Sequence, residues 1–250
     1  MAFAADDLKL YGSQVMAEDD ATLAIGGAID LTTLVSFTPM GANGGVEVIS
    51  DNAADVMNIT ITGRDATGAA KVEVVALTGT AAVAVPGVFK RLLKAELAAG
   101  AAGAVTVRKA GNAGDLMIFP AGVTTVRRPL IDISADVAGG AARKYYEKVF
   151  YKNENATDAL LDASVLYAVN PGNEYALALA TALNDSGTNG AGNDRLVAPA
   201  ALVFDGTEKA VPGGNIPPAE QIGIWIERTL AAGAAAGENT FSLKVSGKGA

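Results

Sequence analysis

The chain has no cysteine and no histidine in 250 residues. Without cysteine there are no disulfides, thiolate nucleophiles or sulfur metal ligands. Without histidine the usual general base near neutral pH is missing, and with it the Ser-His-Asp arrangement and the commonest transition-metal ligand. Paired carboxylates or a lysine could still run a reaction, but the expectation is a protein that is not an enzyme and uses no cofactor. Aromatic residues are scarce too, at 6% with one tryptophan, and much of the 50% hydrophobic content is alanine. Small side chains bury little area each, so stability has to be spread over many strands. Positive charge is short, with 19 Lys and Arg against 27 Asp and Glu and a net charge of −8. That balance argues against nucleic acid as a partner. No uninterrupted apolar run reaches about 18 residues, so no membrane partner is expected. Asp6 and Asp7 stand where an export signal needs basic residues followed by an apolar run, so no signal peptide is expected.

What is present is alternation. Lys144 to Asn170 is the stretch that organises the chain: Tyr145, Glu147, Val149 and Tyr151 alternate with Tyr146, Lys148, Phe150 and Lys152, and Val165, Tyr167 and Val169 with Leu166 and Ala168. Between them, residues 153–158 (NENATD) are rich in side chains that bond their own backbone in turns. The pair reads as a β-hairpin or as a crossover between sheets. Met57, Ile59 and Ile61 oppose Asn58, Thr60 and Thr62, with period two. Residues 64–68 then form a hairpin loop with a late glycine, and residues 71–77 return.

Further strands are predicted in the N-terminal segment around Leu8, Leu10 and Tyr11, and as two short strands about Gly26-Gly27. Others fall at 104–109, 115–120, 123–137, 174–181, 222–226 and 241–245. Residues 88–97 read as strand, with a helical stripe of Phe89, Leu92, Leu93 and Leu97 as the competitor. A repeat is visible: Leu97 to Gly103 (LAAGAAG) precedes one alternating strand, and Leu230 to Gly237 (LAAGAAAG) precedes another. With turn signals every 8–12 residues or so, the expected fold is all-β: two tandem antiparallel, immunoglobulin-like β-sandwich domains with a short N-terminal arm. The expected divisions are 1–29 for the arm, 30–127 for the first sandwich and 128–250 for the second.

Candidate chemistry is thin. Asp19-Asp20, Asp185 with Asn189, and Asn193-Asp194 are oxygen-rich groups that could hold Ca²⁺ or simply be solvated turns. Glu147 and Glu154 could pose as acid and base, or as exposed strand-end acids. Trp225 with Tyr145, Tyr146, Tyr151, Tyr167 and Tyr175 could form a sugar-stacking platform or pack a core.

Three stretches carry a family resemblance: residues 57–80 (MNITITGRDATGAAKVEVVALTGT) with the later FKRLLKAEL and GAVTVRK, residues 143–169, and residues 221–247. Together they resemble β-sandwich modules of tailed-bacteriophage virion structural proteins. The resemblance implies a non-catalytic capsid decoration, or cement, protein on the capsid surface of the virion. Such a protein is made in the host cytoplasm, binds the major capsid protein and self-associates on the lattice. Its alternatives are a head-to-tail, tail or baseplate component, and a carbohydrate-binding module for host adsorption. Leu8, Leu10, Tyr11, Tyr145, Tyr151 and Trp225 are the expected interaction surface.

Overall fold

The structure, a computed structural model, describes residues 4–18, 24–130, 141–169, 174–233 and 242–249. Among them a 3-10 turn, Ala5–Asp7, leads into sixteen strands and no α-helix. The strands are β1 (Leu8–Val15), β2 (Gly26–Val35), β3 (Gly44–Ser50), β4 (Asn58–Arg64), β5 (Ala70–Ala76), β6 (Val83–Phe89), β7 (Arg91–Leu97) and β8 (Val105–Lys109). They continue with β9 (Asp115–Phe119), β10 (Thr125–Arg127), β11 (Arg143–Asn153), β12 (Leu160–Val169), β13 (Tyr175–Leu183), β14 (Lys209–Ala210), β15 (Gln221–Leu230) and β16 (Ser242–Gly249). The all-β class expected from the sequence is what the chain adopts, as β-sandwich units.

Two compact units result, but not as a tandem pair. One is Leu31–Arg128; the other joins Met1–Asp30 to Pro129–Ala250, so the first is an excursion within the second. The expected separate arm at 1–29 is therefore corrected. β1 lies between β11 and β2 in its sheet, with Leu8 opposite Asn153 and Gly12 opposite Val149. Its backbone groups are used on both sides, which a free arm would leave to water.

In the unit 31–128, one sheet runs in the order β2, β10, β7, β4, β5 and the other β6, β3, β8, β9. Ile59 and Ile61 of β4 and Val46 and Val48 of β3 are buried, with Phe89, Val105, Val107 and Phe119. The hairpin read from the 57–77 alternation is present, Arg64 opposite Ala70 and Asn58 opposite Ala76. Its loop is closed by Asp65, whose Oδ1 accepts from the Thr67 and Ala69 N–H groups.

The helical stripe at 88–97 is resolved as strand. Leu92 and Leu93 are both buried because a register shift lies between Thr62 and Gly63. A bulge of this kind lets two successive residues serve one face, which mimics a helical spacing. Gly63 makes it possible, since a Cβ there would run into the Arg91 carbonyl oxygen.

In the discontinuous unit, one sheet has the order β13, β15, β11, β1, β2 and the other β14, β12, β16. β11 and β12 lie in different sheets, so the 144–170 segment is the crossover and not the hairpin. Asn153, fully buried, holds the corner: its Nδ2 donates to the carbonyls of Asp158 and Ile216, and its Oδ1 accepts from the Asn155 N–H. The Gly26-Gly27 pair opens β2 instead of dividing two strands, both glycines having positive φ. Of the strand expected over 123–137, β10 covers three residues, and 131–140 lie outside the described residues.

Gly63→Ala is expected to destabilise the protein by about 1–3 kcal/mol, the usual cost of forcing an extra methyl into packed backbone. Urea unfolding measures it; an unchanged midpoint would show that the bulge tolerates a side chain.

Candidate functional site

The densest polar arrangement is built on β11 and β15, antiparallel neighbours with Lys148 opposite Trp225. Lys148 is fully buried. Its ammonium donates to the carbonyls of Gly27 (3.0 Å), Asp185 (3.1 Å) and Gly187 (2.8 Å), and to the Asp185 carboxylate at 2.6 Å. The Phe150 and Trp225 rings lie 4.8 and 5.6 Å from it. Gly223 makes the room, because a Cβ there would come within 2.9 Å of the lysine Cε. Burial pushes the Lys148 amine down, and the Asp185 carboxylate opposes that shift. Four oxygens around one nitrogen favour the ammonium, which has three protons to give and nothing to accept with.

Asn189, also buried, continues the arrangement. Its Oδ1 accepts from the Ile25 N–H, and its Nδ2 donates to the carbonyls of Asp194 and Val197. The loop thus runs antiparallel to the start of β2, with a bridge between Gly26 and Thr188. Farther on, the Tyr146 N–H donates to the Arg195 carbonyl, and Phe204 meets the Tyr146 ring edge-on at 5.3 Å. Residues 184–204 therefore cover the β11–β15 face, with Leu202 and Phe204 against the cluster of Ala17, Ile25, Tyr146, Ala178 and Trp225.

This covering relocates most of the expected interaction surface. Trp225, Tyr145 and Tyr11 are buried, at 2%, 0% and 6% exposure. Tyr151 is half-buried and donates its hydroxyl to the Leu243 carbonyl. Leu8 and Leu10 are half-buried on β1. Tyr146, Tyr167 and Tyr175 are buried as well, so the ring set is core and offers sugar no platform. Burial pushes the Tyr151 hydroxyl up to about 12 and, with Glu154 beside it, that of Tyr11 to about 12 as well.

The acids considered for catalysis or Ca²⁺ are engaged in folding. Glu147 is buried and accepts from the Leu130 N–H, while Glu154 pairs with Lys152 at 2.8 Å. Seven residues of extended chain set them roughly 23 Å apart, so they do not converge. The Asp185 carboxylate holds Lys148, Asp194 Oδ1 accepts from the Leu196 N–H, and Asn193 Nδ2 donates to the Asn189 carbonyl. Asp19 and Asp20 lie outside the described residues. Among the described residues, no three Asp or Glu side chains gather as a metal site.

Sequence reasoning missed Lys148. Its signal was a lysine amid Tyr146, Phe150 and the isoleucines of β15, where an exposed position would be expected to have polar neighbours. Asp205 was missed too. It pairs with Lys209 at 2.5 Å and accepts from Thr207, and these bonds, Lys209 first, hold its carboxyl at about 2.

Lys148→Met, which keeps the stem and removes the charge, is expected to cost about 1–3 kcal/mol, since it leaves the carbonyls of Gly27, Asp185 and Gly187 without their donor and the half-exposed Asp185 carboxylate without its cation. Limited proteolysis should then cut within 184–204 first; an uncut loop would deny the lysine its role as anchor. For Asp205 the folded carboxyl titrates below its ordinary value of 3.8, so its contribution is present above 3.8 and is lost as pH falls towards about 2. Asp205→Asn should flatten the acid-unfolding curve in that window, and a curve unchanged by the substitution would refute the assignment.

No family model and no curated protein sequence matches this chain. Among solved structures, it aligns with the VP2 protein of infectious bursal disease virus. A mutant form in T=1 particles gives 11% identity over 97% of this chain and 67% of that one, with a TM-score of 0.15. The Gt strain structure gives 11% identity over 97% and 70%, with a TM-score of 0.16. A further structure of T=1 particles derived from the virus gives 12% over 100% and 65%, also at 0.15. Likenesses of this size do not extend to a shared fold, and the reading of function stands on the chain's own residues.

Proposed function

We propose that the chain is a non-catalytic structural protein of a tailed-phage virion, in the role of a capsid decoration protein that binds the major capsid protein. The observation that carries the non-catalytic part is the use made of its acids. Asp185, Asp194, Glu147 and Glu154 each hold a lysine or a backbone amide of their own unit. Acids committed in this way fix loops and have no free role as proton carriers. The virion part is supported by the sequence resemblance of residues 57–80, 143–169 and 221–247. Two β-sandwich units suit a stapling role, in which modest contacts repeated over a symmetric shell add up by avidity.

The same-class reading is a head-to-tail, tail or baseplate component, and copy number separates the two. Quantitative mass spectrometry of purified particles is expected to find the protein in hundreds of copies. About six or twelve copies would place it on the symmetric tail axis, and none would end the virion reading. Purified chain added to shells lacking it should raise their melting temperature; shells that neither bind it nor gain stability would sink the cementing role.

A further inference from the structure

The edges of a sheet carry unpaired N–H and C=O groups, and proteins protect them with prolines, bulges, charges, short length or a covering segment. Five of the six outer strands here show such a device. β6 carries Pro86 and Gly87. β9 is five residues long, and its Leu116 carbonyl accepts from the Thr38 N–H. On β13, Leu177 exchanges both backbone bonds with Asp205. β14 has two residues, and β16 carries Lys244, Lys248 and two glycines.

β5 is the exception. All seven of its residues pair with β4 in unbroken register, and among the described residues its backbone has no partner on the other side. It contains no proline or glycine. Its two charges, Lys71 and Glu73, pair at 2.6 Å on the half-buried face, so no charge stands on the exposed face. On the opposite face Val72 and Val74 are 58% and 55% exposed. An edge with unpaired backbone groups beside exposed valines is a template for another strand.

We propose that β5 pairs antiparallel with β5 of a second copy, in the register that sets Val72 opposite Val72. Charge selects both occupant and register. With Val72 at the two-fold axis, Lys71 of each chain faces Glu73 of the other, two opposite-charge pairs generated by one symmetry operation. Sliding each strand to centre on Glu73 pairs more residues but sets Glu73 against Glu73, which is unfavourable. An isologous pair closes on itself, so the edge is consumed and no filament grows. The inference rests on the self-association that the family resemblance implies, and not on the shell binding proposed above.

The absence of cysteine makes the test clean. In this register the two Val72 Cα atoms lie about 5 Å apart, inside the range a disulfide spans, whereas the two Val74 Cα atoms are separated by about 13 Å along the strands. Under mild oxidation of the full chain, V72C is expected to give covalent dimer, and V74C roughly tenfold less. Adding K71E to V72C should reduce the yield, and adding K71E together with E73K should restore it. Circular dichroism confirms that each variant is folded. Cross-linking of V72C no greater than that of V74C, in folded protein, would overturn the proposal. So would a yield indifferent to K71E. A chain that binds shells yet fails to cross-link sinks this inference alone, and one that cross-links yet ignores shells sinks only the cementing role.

Discussion

An ammonium taken wholly out of water has to be surrounded by oxygens, and that requirement organises the larger unit. Lys148 meets it with carbonyls from the start of β2 and from the 185–187 loop, together with the Asp185 carboxylate. Two separate pieces of chain are thus tied to β11 through one atom. The loop so placed covers Trp225 and Tyr146, which turns the outer face of β11 and β15 into a second core. A hydrophobic residue of similar volume could pack there with less desolvation cost. It would not specify where a glycine-rich loop, with few side chains of its own to bury, must settle.

Coverage on both sides explains why those two strands do not alternate in burial. Six consecutive residues of β15, Ile222 to Glu227, are buried, as are six of β11, Tyr145 to Phe150. Such strands normally read as continuous apolar runs. Here Glu147, Lys148 and Glu227 interrupt the runs and give a false impression of a polar outer face. Each is accommodated by a specific partner: Leu130 N–H for Glu147, the oxygen cage for Lys148, and Lys144 with the Tyr146 hydroxyl for Glu227.

The all-β class was legible because period-two alternation survives wherever one face is wet, as in β4 with Ile59 and Ile61. The β4–β5 hairpin was legible because its loop chemistry is local, Asp65 to Thr67 and Ala69. Less local features were hidden. Whether residues 153–158 make a hairpin or a crossover depends on Asn153 finding the Ile216 carbonyl 63 positions away, which no window of sequence displays. The discontinuous unit was hidden for the same reason, since β1 reads as a terminal strand until β11 is placed beside it. The aromatic residues were legible as a set, with core as one of its two readings; taking Tyr145 and Trp225 for interaction surface overlooked a loop that sets Leu202 and Phe204 against Tyr146 and Trp225.

The alanine and glycine repeat acquires a physical meaning in this frame. In each unit the strand before it, β7 or β15, belongs to one sheet, and the strand after it, β8 or β16, belongs to the other. In the Leu97–Gly103 copy, small residues suit a chain that must cross the roughly 10 Å between layers without filling the space. With few side chains to pack there, a polar side chain sets the path. Between β7 and β8 that role falls to Asp55, buried, which accepts from Ser50 Oγ and from the N–H groups of Ala102 and Gly103. The same division of labour recurs with Asn153, Asn189 and Asp185. A chain short of large side chains fixes its connections with carboxylates and amides, one at each of these corners.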